Sequence, residues 1–337
     1  MHLFGKDLSR EVAIVAEAGV NHEGDPEAAL LLLRLAKQAG ADAIKFQTYT
    51  PARYASASDP ARLERVGRFA LDEATHRRLA AEARRLGIVF FSTAVSEDVV
   101  PLLAELCPAI KIASADLTFE PVLRAAARTG KPVILSTGLG TAWEIDQAVD
   151  WVRQEVGAAA LPDRLVLLQC VVAYPTPLEQ ANVASVAFLK DRYGLTVGYS
   201  NHVIGLEPCL AAVALGARLL EVHFTDRREG RSFRDHELSL EPAELAELVA
   251  RAPKVAACLG SYGKARQPAE TALLPIVRKG VVAARDLAAD TRLAAEDLMY
   301  ARPASEFPAA ALPSLLGRRL TIALKRGELV PRAGVAD

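Results

Sequence analysis

The feature that most restricts the fold of this chain is a regular alternation of short apolar runs with longer amphipathic segments. The runs are rich in Val, Ile and Leu and lack the alternating polar residues of a strand with one solvated face. They are VAIVAE (12–17), DAIKFQ (42–47), IVFFST (88–93), AIKIAS (109–114), PVILST (132–137), LVLLQC (165–170), LTVGYS (195–200) and ARLLEVHF (217–224). Such runs are typical of parallel strands that helices cover on both faces.

The segments between these runs carry the start and stop signals of α-helices. In DPEAALLLLRLAKQAG, Asp25 is a candidate N-cap, Pro26 takes the first helical position and Gly40 follows the end. Eight successive β–α units predict an α/β fold, a closed (β/α)8 TIM barrel, over residues 1–260. An open doubly wound sheet is the alternative, but no G-x-G-x-x-G motif follows the first strand.

The pattern changes after the last helical segment, at about 241–258. Residues 261–277 contain Gly and Pro with few periodic apolar positions, which predicts a linker. Residues 278–337 show short strand and turn patterns and predict a small β-rich domain. A domain of roughly 60 residues has little core of its own, so we expect it to dock on another surface.

Composition and charge argue against several classes of binding partner. The chain has 337 residues and a formal net charge of −1, so no charge excess indicates nucleic acid or an anionic membrane. No apolar stretch reaches the roughly 18 residues of a spanning helix. The four cysteines form no C-x-x-C pair, which predicts neither a disulfide framework nor a zinc knuckle. Together with an N-terminus unlike a signal peptide, this predicts a cytoplasmic protein.

Polar side chains are concentrated at the C-terminal ends of the predicted strands, where the active sites of barrels form. They are Glu17, Lys45, Gln47, Thr93, Lys111, Ser114, Ser136, Thr137, Tyr174, Ser200, Asn201, His202, Glu221 and His223. Two ammonium groups and several hydroxyls at one mouth suit a small phosphorylated carboxylate. Glu17 and Glu221 are candidate general acids or bases, with a salt bridge to a barrel lysine as the alternative.

His202 and His223 are the most diagnostic of these residues. His202 follows the predicted strand 195–200, and His223 lies near the end of the next strand, 217–224. Neutral imidazole is a common ligand of divalent transition metals, and two histidines leave coordination positions open for substrate. We therefore predict a catalytic metal site, with two hydrogen-bonded core histidines as the alternative. His22 has either a loop-stabilising or a catalytic role. The remaining histidines are predicted to be peripheral: His2, His76 and His236.

Several segments occur in an order and spacing that point to one family. They are AEAGVNHEGD, IKFQTY, FFSTAVS, IKIASAD, VILSTGLGT, YPTP, GYSNH and EVHFTD followed by DHELSL. The chain resembles the sialic acid synthase family, which includes N-acetylneuraminate, legionaminate and related nonulosonate synthases. The resemblance covers about residues 12–332, and the tail resembles the family's C-terminal antifreeze-protein-like (SAF) domain.

The resemblance implies an enzyme that condenses phosphoenolpyruvate with the open-chain aldehyde of an N-acylated amino sugar and releases phosphate. The sugar would be N-acetylmannosamine or a 2,4-diacetamido hexose. His202 and His223 would ligate a divalent metal, Mn²⁺ before Mg²⁺ or Co²⁺. Phosphoenolpyruvate would be bound by Lys45, Lys111, Thr93, Ser114, Ser136 and Ser200. The sugar would be contacted by Glu17, Gln47, Tyr174 and Asp235, and Glu17 would also manage a proton.

The resemblance further implies a domain-swapped homodimer in which Arg302 contacts the N-acyl group of the sugar bound to the other subunit. In this chain ARP around Arg302 occupies the place of a KRPG-type motif. An ordinary surface arginine is the alternative.

The chain departs from the family pattern at three places. Val172 occupies the position of an asparagine that helps to bind phosphoenolpyruvate, and loss of that donor costs on the order of 1 kcal/mol. Asn201 stands where aspartate is frequent, and the loop REGRSFRD is unusually basic. Two alternatives therefore stay open, a metal-dependent barrel aldolase on another sugar and a catalytically impaired sugar-binding relative. Only Val172 favours the second.

Overall fold

The computed structural model describes all 337 residues. The chain forms two compact units, Met1–Gly260 and Ser261–Asp337. Residues 261–277 belong to the second unit, where they form the short helical segments Pro268–Glu270 and Leu274–Val277. None of the helices has both the length and the apolar character needed to cross a bilayer.

The first unit is a closed barrel of eight parallel strands. They are β1 (Ala13–Gly19), β2 (Ala43–Thr48), β3 (Val89–Ala94), β4 (Ile110–Ile112), β5 (Val133–Ser136), β6 (Leu165–Cys170), β7 (Thr196–Asn201) and β8 (Leu219–His223). Strand β8 closes the barrel on β1, with Leu219 opposite Ala13 and His223 opposite Glu17. The predicted (β/α)8 barrel is confirmed, and the open doubly wound sheet is excluded.

One principal helix follows each strand of the barrel. These are α1 (Pro26–Gln38), α2 (Glu73–Leu86), α3 (Val100–Leu106), α4 (Glu120–Arg128), α5 (Ala142–Val156), α6 (Ser185–Tyr193), α7 (Glu207–Ala214) and α8 (Pro242–Cys258). Helix α1 starts as its sequence predicts, because Asp25 accepts a hydrogen bond from the backbone N–H of Glu27 at 2.8 Å. Helix α2 ends at Gly87, whose φ of 70° lies in the left-handed region that glycine tolerates.

A close approach between β7 and β8 brings the ends of these strands together. A Cβ atom at Gly198 of β7 would lie 2.3 Å from the carbonyl oxygen of Leu219 on β8, and 2.5 Å from the side chain of Leu168. Only glycine fits this contact without displacement of a strand. The spacing of the two strands matters because His202 and His223 stand at their C-terminal ends.

Two connections at this end of the barrel carry additional α-helical segments. The β2–α2 connection contains Pro51–Tyr54 and Pro60–Phe69, and the β8–α8 connection contains Asp235–Leu238. The rings of Phe69 and Phe233 meet edge to face with centroids 5.2 Å apart. This aromatic contact joins the two connections.

The second unit contains two small antiparallel sheets. Gly280–Ala283 pairs with Leu298–Ala301, and Arg319–Leu320 pairs with Val335–Ala336. Its core consists of the buried side chains of Val281, Ala283, Leu287, Leu293, Leu298, Phe307, Leu315, Leu320, Leu324 and Val330. The small β-rich fold predicted for the tail is therefore observed.

Candidate functional site

A cavity of about 760 Å³ opens at the C-terminal ends of the barrel strands. Twelve of the residues predicted from the sequence line it: Glu17, Lys45, Gln47, Thr93, Lys111, Ser114, Ser136, Tyr174, Ser200, His202, His223 and Asp235. Arg302 belongs to the second unit, where its side chain is exposed and its Nε donates to the carbonyl of Val277 at 2.6 Å. The structure thus brings together all the barrel residues predicted to bind substrate or metal, whereas Thr137 and Asn201 donate to the backbone carbonyls of Leu168 and Val203.

Two lysines and two glutamates form a buried charge cluster at the inner end of the cavity. The Lys45 ammonium lies 2.6 Å from Glu17 Oε2 and donates to Thr93 Oγ1 at 2.8 Å. Glu221 Oε1 lies 3.8 Å from the Lys45 Nζ and 3.9 Å from the Lys111 Nζ. Each glutamate therefore lines the cavity and lies near a lysine, as the salt-bridge alternative has it, and the general acid or base role stays a prediction.

Burial and neighbouring charges separate the two carboxyl groups in pKa. Burial raises the pKa of Glu17 to about 7, with the Lys45 ammonium opposing and the Glu221 carboxylate adding to the rise. Burial acts in the same direction on Glu221, but the ammonium groups of Lys111 and Lys45 outweigh it and hold the pKa of Glu221 below its usual value. Near neutral pH, Glu17 is therefore the carboxyl that can hold a proton, while Glu221 stays ionised.

The hydroxyl groups beside this cluster have capacity for further hydrogen bonds. Ser136 Oγ is buried and has no hydrogen-bond partner. Ser114 Oγ accepts from the backbone N–H of Gly138 at 3.0 Å, which leaves its own proton to donate. Buried polar atoms rarely lack partners, so the unpartnered Ser136 hydroxyl indicates a position that a polar ligand occupies.

The two histidines face each other with ring centroids 5.1 Å apart. His202 Nδ1 lies 2.6 Å from the carbonyl oxygen of Val171, which can only accept, so Nδ1 carries a proton and Nε2 is the ring nitrogen left for a metal. His223 Nδ1 is buried without a partner, and burial, with the charge of His202 next, holds the pKa of His223 well below its usual value. Burial opposes it, but the neighbouring Cys170 and the Val171 carbonyl raise the pKa of His202, so a divalent metal held by this pair would take the place of a proton on the His202 ring.

No group of three or more His, Cys, Asp or Glu side chains in the chain is arranged to hold a metal ion. A metal at His202 and His223 would thus have two protein ligands, and water or substrate would fill its other positions. A catalytic metal needs at least one position open to water or substrate, and this pair of ligands would leave several.

The wall of the cavity beside His202 combines an aromatic ring with charged groups. The ring of Tyr174 lies 4.2 Å from that of His202, centroid to centroid. The guanidinium of Arg234 lies 4.8 Å above the Tyr174 ring, and its Nε is 3.1 Å from Asp235 Oδ1. Asp235 is buried, and burial raises the pKa of its carboxyl group.

Sequence analysis missed the outer wall of the cavity. This wall is formed by residues of the two extended connections, including Tyr49, Tyr54, Arg62, Arg65, Phe69 and Phe233. A signal was present, since the Asp59–Pro60 pair is a helix start and Leu63, Val66 and Phe69 recur at a helical spacing. His76 and His236, which were predicted to be peripheral, do not line the cavity, although each is buried with only 1% of its surface exposed.

Comparisons with known proteins identify the family of the chain. A family model described as the NeuB family matches residues 32–264, more than half of the chain, and a SAF domain model matches residues 278–336. The N,N'-diacetyllegionaminic acid synthase of Campylobacter jejuni is 35% identical over 335 residues, which are 95% of this chain and 99% of that protein. The N-acetylneuraminate-9-phosphate synthase of Mus musculus is 31% identical over 341 residues, 96% of this chain and 92% of that protein.

A solved structure shows the same architecture. The N-acetylneuraminic acid (sialic acid) synthetase of Leptospira borgpetersenii serovar Hardjo-bovis, crystallised with citrate, superposes with a TM-score of 0.73 at 34% identity. The match covers 78% of this chain and 90% of that one. The resemblance recognised in the sequence is confirmed, and the chain belongs to the NeuB family of nonulosonic acid synthases, with a SAF domain at residues 278–336.

Proposed function

We propose that this chain condenses phosphoenolpyruvate with the open-chain aldehyde of an N-acylated amino sugar, forming a nonulosonic acid and inorganic phosphate. One observation carries the proposal. A single cavity joins a buried cationic and hydroxyl-rich end, with Lys45, Lys111 and Ser136, to the imidazole pair of His202 and His223. These are the groups needed to hold a phosphorylated carboxylate beside a polarised aldehyde.

The inner end of the cavity supports binding of phosphoenolpyruvate. Lys45 is already paired with Glu17 at 2.6 Å, whereas the nearest carboxylate oxygen to the Lys111 ammonium is 3.9 Å away. Lys111 is therefore the cation with more charge to offer an incoming anion. The hydroxyl groups of Ser114 and Ser136 would add directed hydrogen bonds to phosphate or carboxylate oxygens, with Thr93 and Ser200 alongside.

His202 and His223 would hold a divalent cation, for which we propose Mn²⁺ before Mg²⁺ or Co²⁺. The ion would supply Lewis acidity toward the aldehyde oxygen. The protein contributes the orientation, because the hydrogen bond from His202 Nδ1 to Val171 fixes one ring and burial keeps the other imidazole neutral.

The carboxyl groups supply and accept protons in the proposed reaction. C3 of phosphoenolpyruvate forms a bond to the aldehyde carbon, and the aldehyde oxygen becomes a hydroxyl by taking the proton held by Glu17. Water adds to the cationic C2 and gives its proton to the ionised Glu221. The C2–O bond to phosphate then breaks, phosphate leaves with the electron pair, and the C2 hydroxyl becomes the keto group by giving its remaining proton to the departing phosphate.

The acceptor would lie against Gln47, Tyr174 and Asp235, which line the outer part of the same cavity. We extend the proposal to a domain-swapped homodimer in which Arg302 of the partner subunit contacts the N-acyl group. In its own unit the Arg302 side chain is exposed, as such a role requires.

Phosphate release tests the proposal. The purified chain is incubated with phosphoenolpyruvate, Mn²⁺ and a panel of N-acylated mannosamines and 2,4-diacetamido hexoses, with each component omitted in turn. We expect phosphate and a nonulosonic acid in equal amounts only when phosphoenolpyruvate and an accepted sugar are both present. Product formation from pyruvate without phosphate release would instead indicate an aldolase.

A specific observation bears on the impaired relative. Val172 lines the cavity, and its Cγ2 lies 2.8 Å from where a Cβ on Gly138 would stand, beside the predicted phosphoenolpyruvate contacts. If the chain bound the sugar but gave no turnover under any condition of the assay, this result would favour a catalytically impaired sugar-binding protein.

A further inference from the structure

The β8–α8 connection, residues 224–241, contributes side chains to the part of the cavity where the acceptor sugar is proposed to bind. Phe233, Arg234 and Asp235 of this connection line the cavity. All three lie in a segment whose only regular structure is the single helical turn Asp235–Leu238. The position of the Asp235 carboxylate therefore depends on contacts made by the rest of the connection.

The short connection after β1 supplies many of those contacts. Asn21 Nδ2 donates to the carbonyl oxygen of Phe224 and to Ser239 Oγ, each at 2.9 Å. These bonds fix the two ends of the β8–α8 connection, and Ser239 Oγ in turn donates to the carbonyl oxygen of Asp235 at 2.6 Å.

Glu23 contacts the middle of the connection. Its Oε1 lies 3.3 Å from His236 Nε2 and 3.5 Å from Arg231 Nη1. The approach to His236 is not aligned as a hydrogen bond, so the interaction is an electrostatic contact. His236 is 1% exposed and directly follows Asp235 in the chain.

The protonation of His236 agrees with this contact. Burial, with the Arg231 charge next, lowers the pKa of His236, so the ring is neutral near pH 7. Thr225 Oγ1 lies 2.7 Å from His236 Nδ1 and can donate to it. The ring proton then resides on Nε2, 3.3 Å from the Glu23 carboxylate.

The backbone of Glu23 is strained in the same place. Its φ is 51°, in the left-handed region that residues other than Gly, Asn and Asp rarely adopt. Glycine or asparagine would occupy this position at lower conformational cost. Glutamate stands here instead, and the two charged or polar groups that its carboxylate contacts, Arg231 and His236, both belong to the β8–α8 connection.

We propose that Glu23 is a positioning residue for the acceptor: through His236 and Arg231 its carboxylate holds the β8–α8 connection so that Asp235 and Arg234 face the sugar. Glu23 does not touch substrate in this arrangement. The inference rests on the proposed function for its kinetic consequence, whereas the order of the connection can be measured without turnover.

Trypsin reports that order directly, because the connection contains Arg227, Arg228, Arg231 and Arg234. The principal variant is Glu23→Asn, which keeps a residue suited to the left-handed backbone and removes the contacting carboxylate. Glu23→Gln keeps the length of the side chain and removes its charge. Asp290→Asn is the matched control, since Asp290 is another acidic residue at positive φ (68°) that pairs with an arginine, Arg319, in the second unit.

For Glu23→Asn we expect cleavage at these arginines to become about tenfold faster and the acceptor KM to rise about tenfold. The phosphoenolpyruvate KM should stay within about twofold, and the melting temperature should not fall, because backbone strain is relieved. Glu23→Gln should show smaller changes in the same directions, and Asp290→Asn should leave both measurements unchanged.

Unchanged cleavage in Glu23→Asn would overturn the inference, whether or not the wild-type protein turns over. Faster cleavage with an unchanged acceptor KM would also overturn it, because the connection would then be ordered without consequence for the sugar. An equal rise of both KM values together with a lower melting temperature would assign Glu23 to general stability instead. Failure of wild-type turnover with faster cleavage would refute the proposed function and retain the anchoring of the connection by Glu23.

Discussion

Two carboxyl and two ammonium groups share the inner end of the cavity, and their charges cancel only when both glutamates are ionised. Glu17 and Lys45 are in direct contact, while Glu221 lies nearly 4 Å from either lysine, at 3.8 and 3.9 Å. An incoming phosphoenolpyruvate adds negative charge to this balanced group. Because the pKa of Glu17 is already near 7, protonation of Glu17 is the least costly response.

This coupling predicts proton uptake on binding of phosphoenolpyruvate at pH 8. The pKa of Glu17 is about 7 in the free protein, so the group is mostly ionised at pH 8, and a nearby anion raises the pKa further. Binding should therefore weaken as the pH rises above about 7. Calorimetry in buffers of different ionisation enthalpy measures the uptake. Glu17→Gln should abolish the proton uptake. Equal uptake by the wild type and this variant would contradict the assignment of Glu17 as the group that becomes protonated.

The histidine pair gives a second prediction at the residue scale. We expect His202→Ala or His223→Ala to abolish turnover and to weaken Mn²⁺ binding by roughly 100-fold or more, because each removes one of two protein ligands. Far-UV circular dichroism should stay that of the wild type. The control is His2→Ala, at an exposed position of the two-residue strand His2–Leu3, which pairs with Lys6–Asp7 before the barrel begins. Retained turnover in both His202→Ala and His223→Ala would refute the metal site.

At the scale of elements, the close approach of β7 and β8 depends on a glycine, Gly198, which has no side chain to separate the strands. Gly198→Ala would place a Cβ 2.3 Å from a backbone oxygen of β8, which cannot move as a flexible side chain does. We expect the free energy of unfolding to fall by about 2–3 kcal/mol and the spacing of the histidines above it to be disturbed.

Gly67→Ala is the matched comparison for that substitution. Gly67 lies inside the helix Pro60–Phe69, and a Cβ there would meet nothing within 4 Å. The same chemical change should leave stability unchanged or raise it by about 0.5–1 kcal/mol. Urea denaturation of both variants measures the difference, and equal effects would contradict the role assigned to Gly198.

The strand pattern predicted the barrel and most of its site because each residue of the ring follows from its place at a strand end. The run 165–170 coincides with strand β6, whereas the run 109–114 ends at Ile112 because Ser114–Asp116 forms a helical turn. The outer wall was not predictable in this way. Its residues, such as Arg62 and Phe233, lie in connections whose course depends on tertiary contacts, including the Phe69–Phe233 pair.

At the scale of the whole molecule, the two units have separate cores. No residue belongs both to the barrel core and to the core of the second unit. Multi-domain chains commonly lose two-state unfolding when their cores are separate. Both tryptophans of the chain, Trp143 and Trp151, lie in the first unit, so tryptophan fluorescence observes the barrel alone.

Because the two cores are separate, we predict that a cavity in one core destabilises the unit that contains it before the other unit. Leu320 is fully buried in the second unit, and Leu320→Ala should remove about 2–5 kcal/mol from its stability. Circular dichroism should then show an early denaturation phase that tryptophan fluorescence does not detect. Leu219→Ala, at an equally buried position of the barrel, should instead shift the fluorescence transition. A fluorescence midpoint that moves equally in both variants would mean that the two units unfold as one cooperative structure.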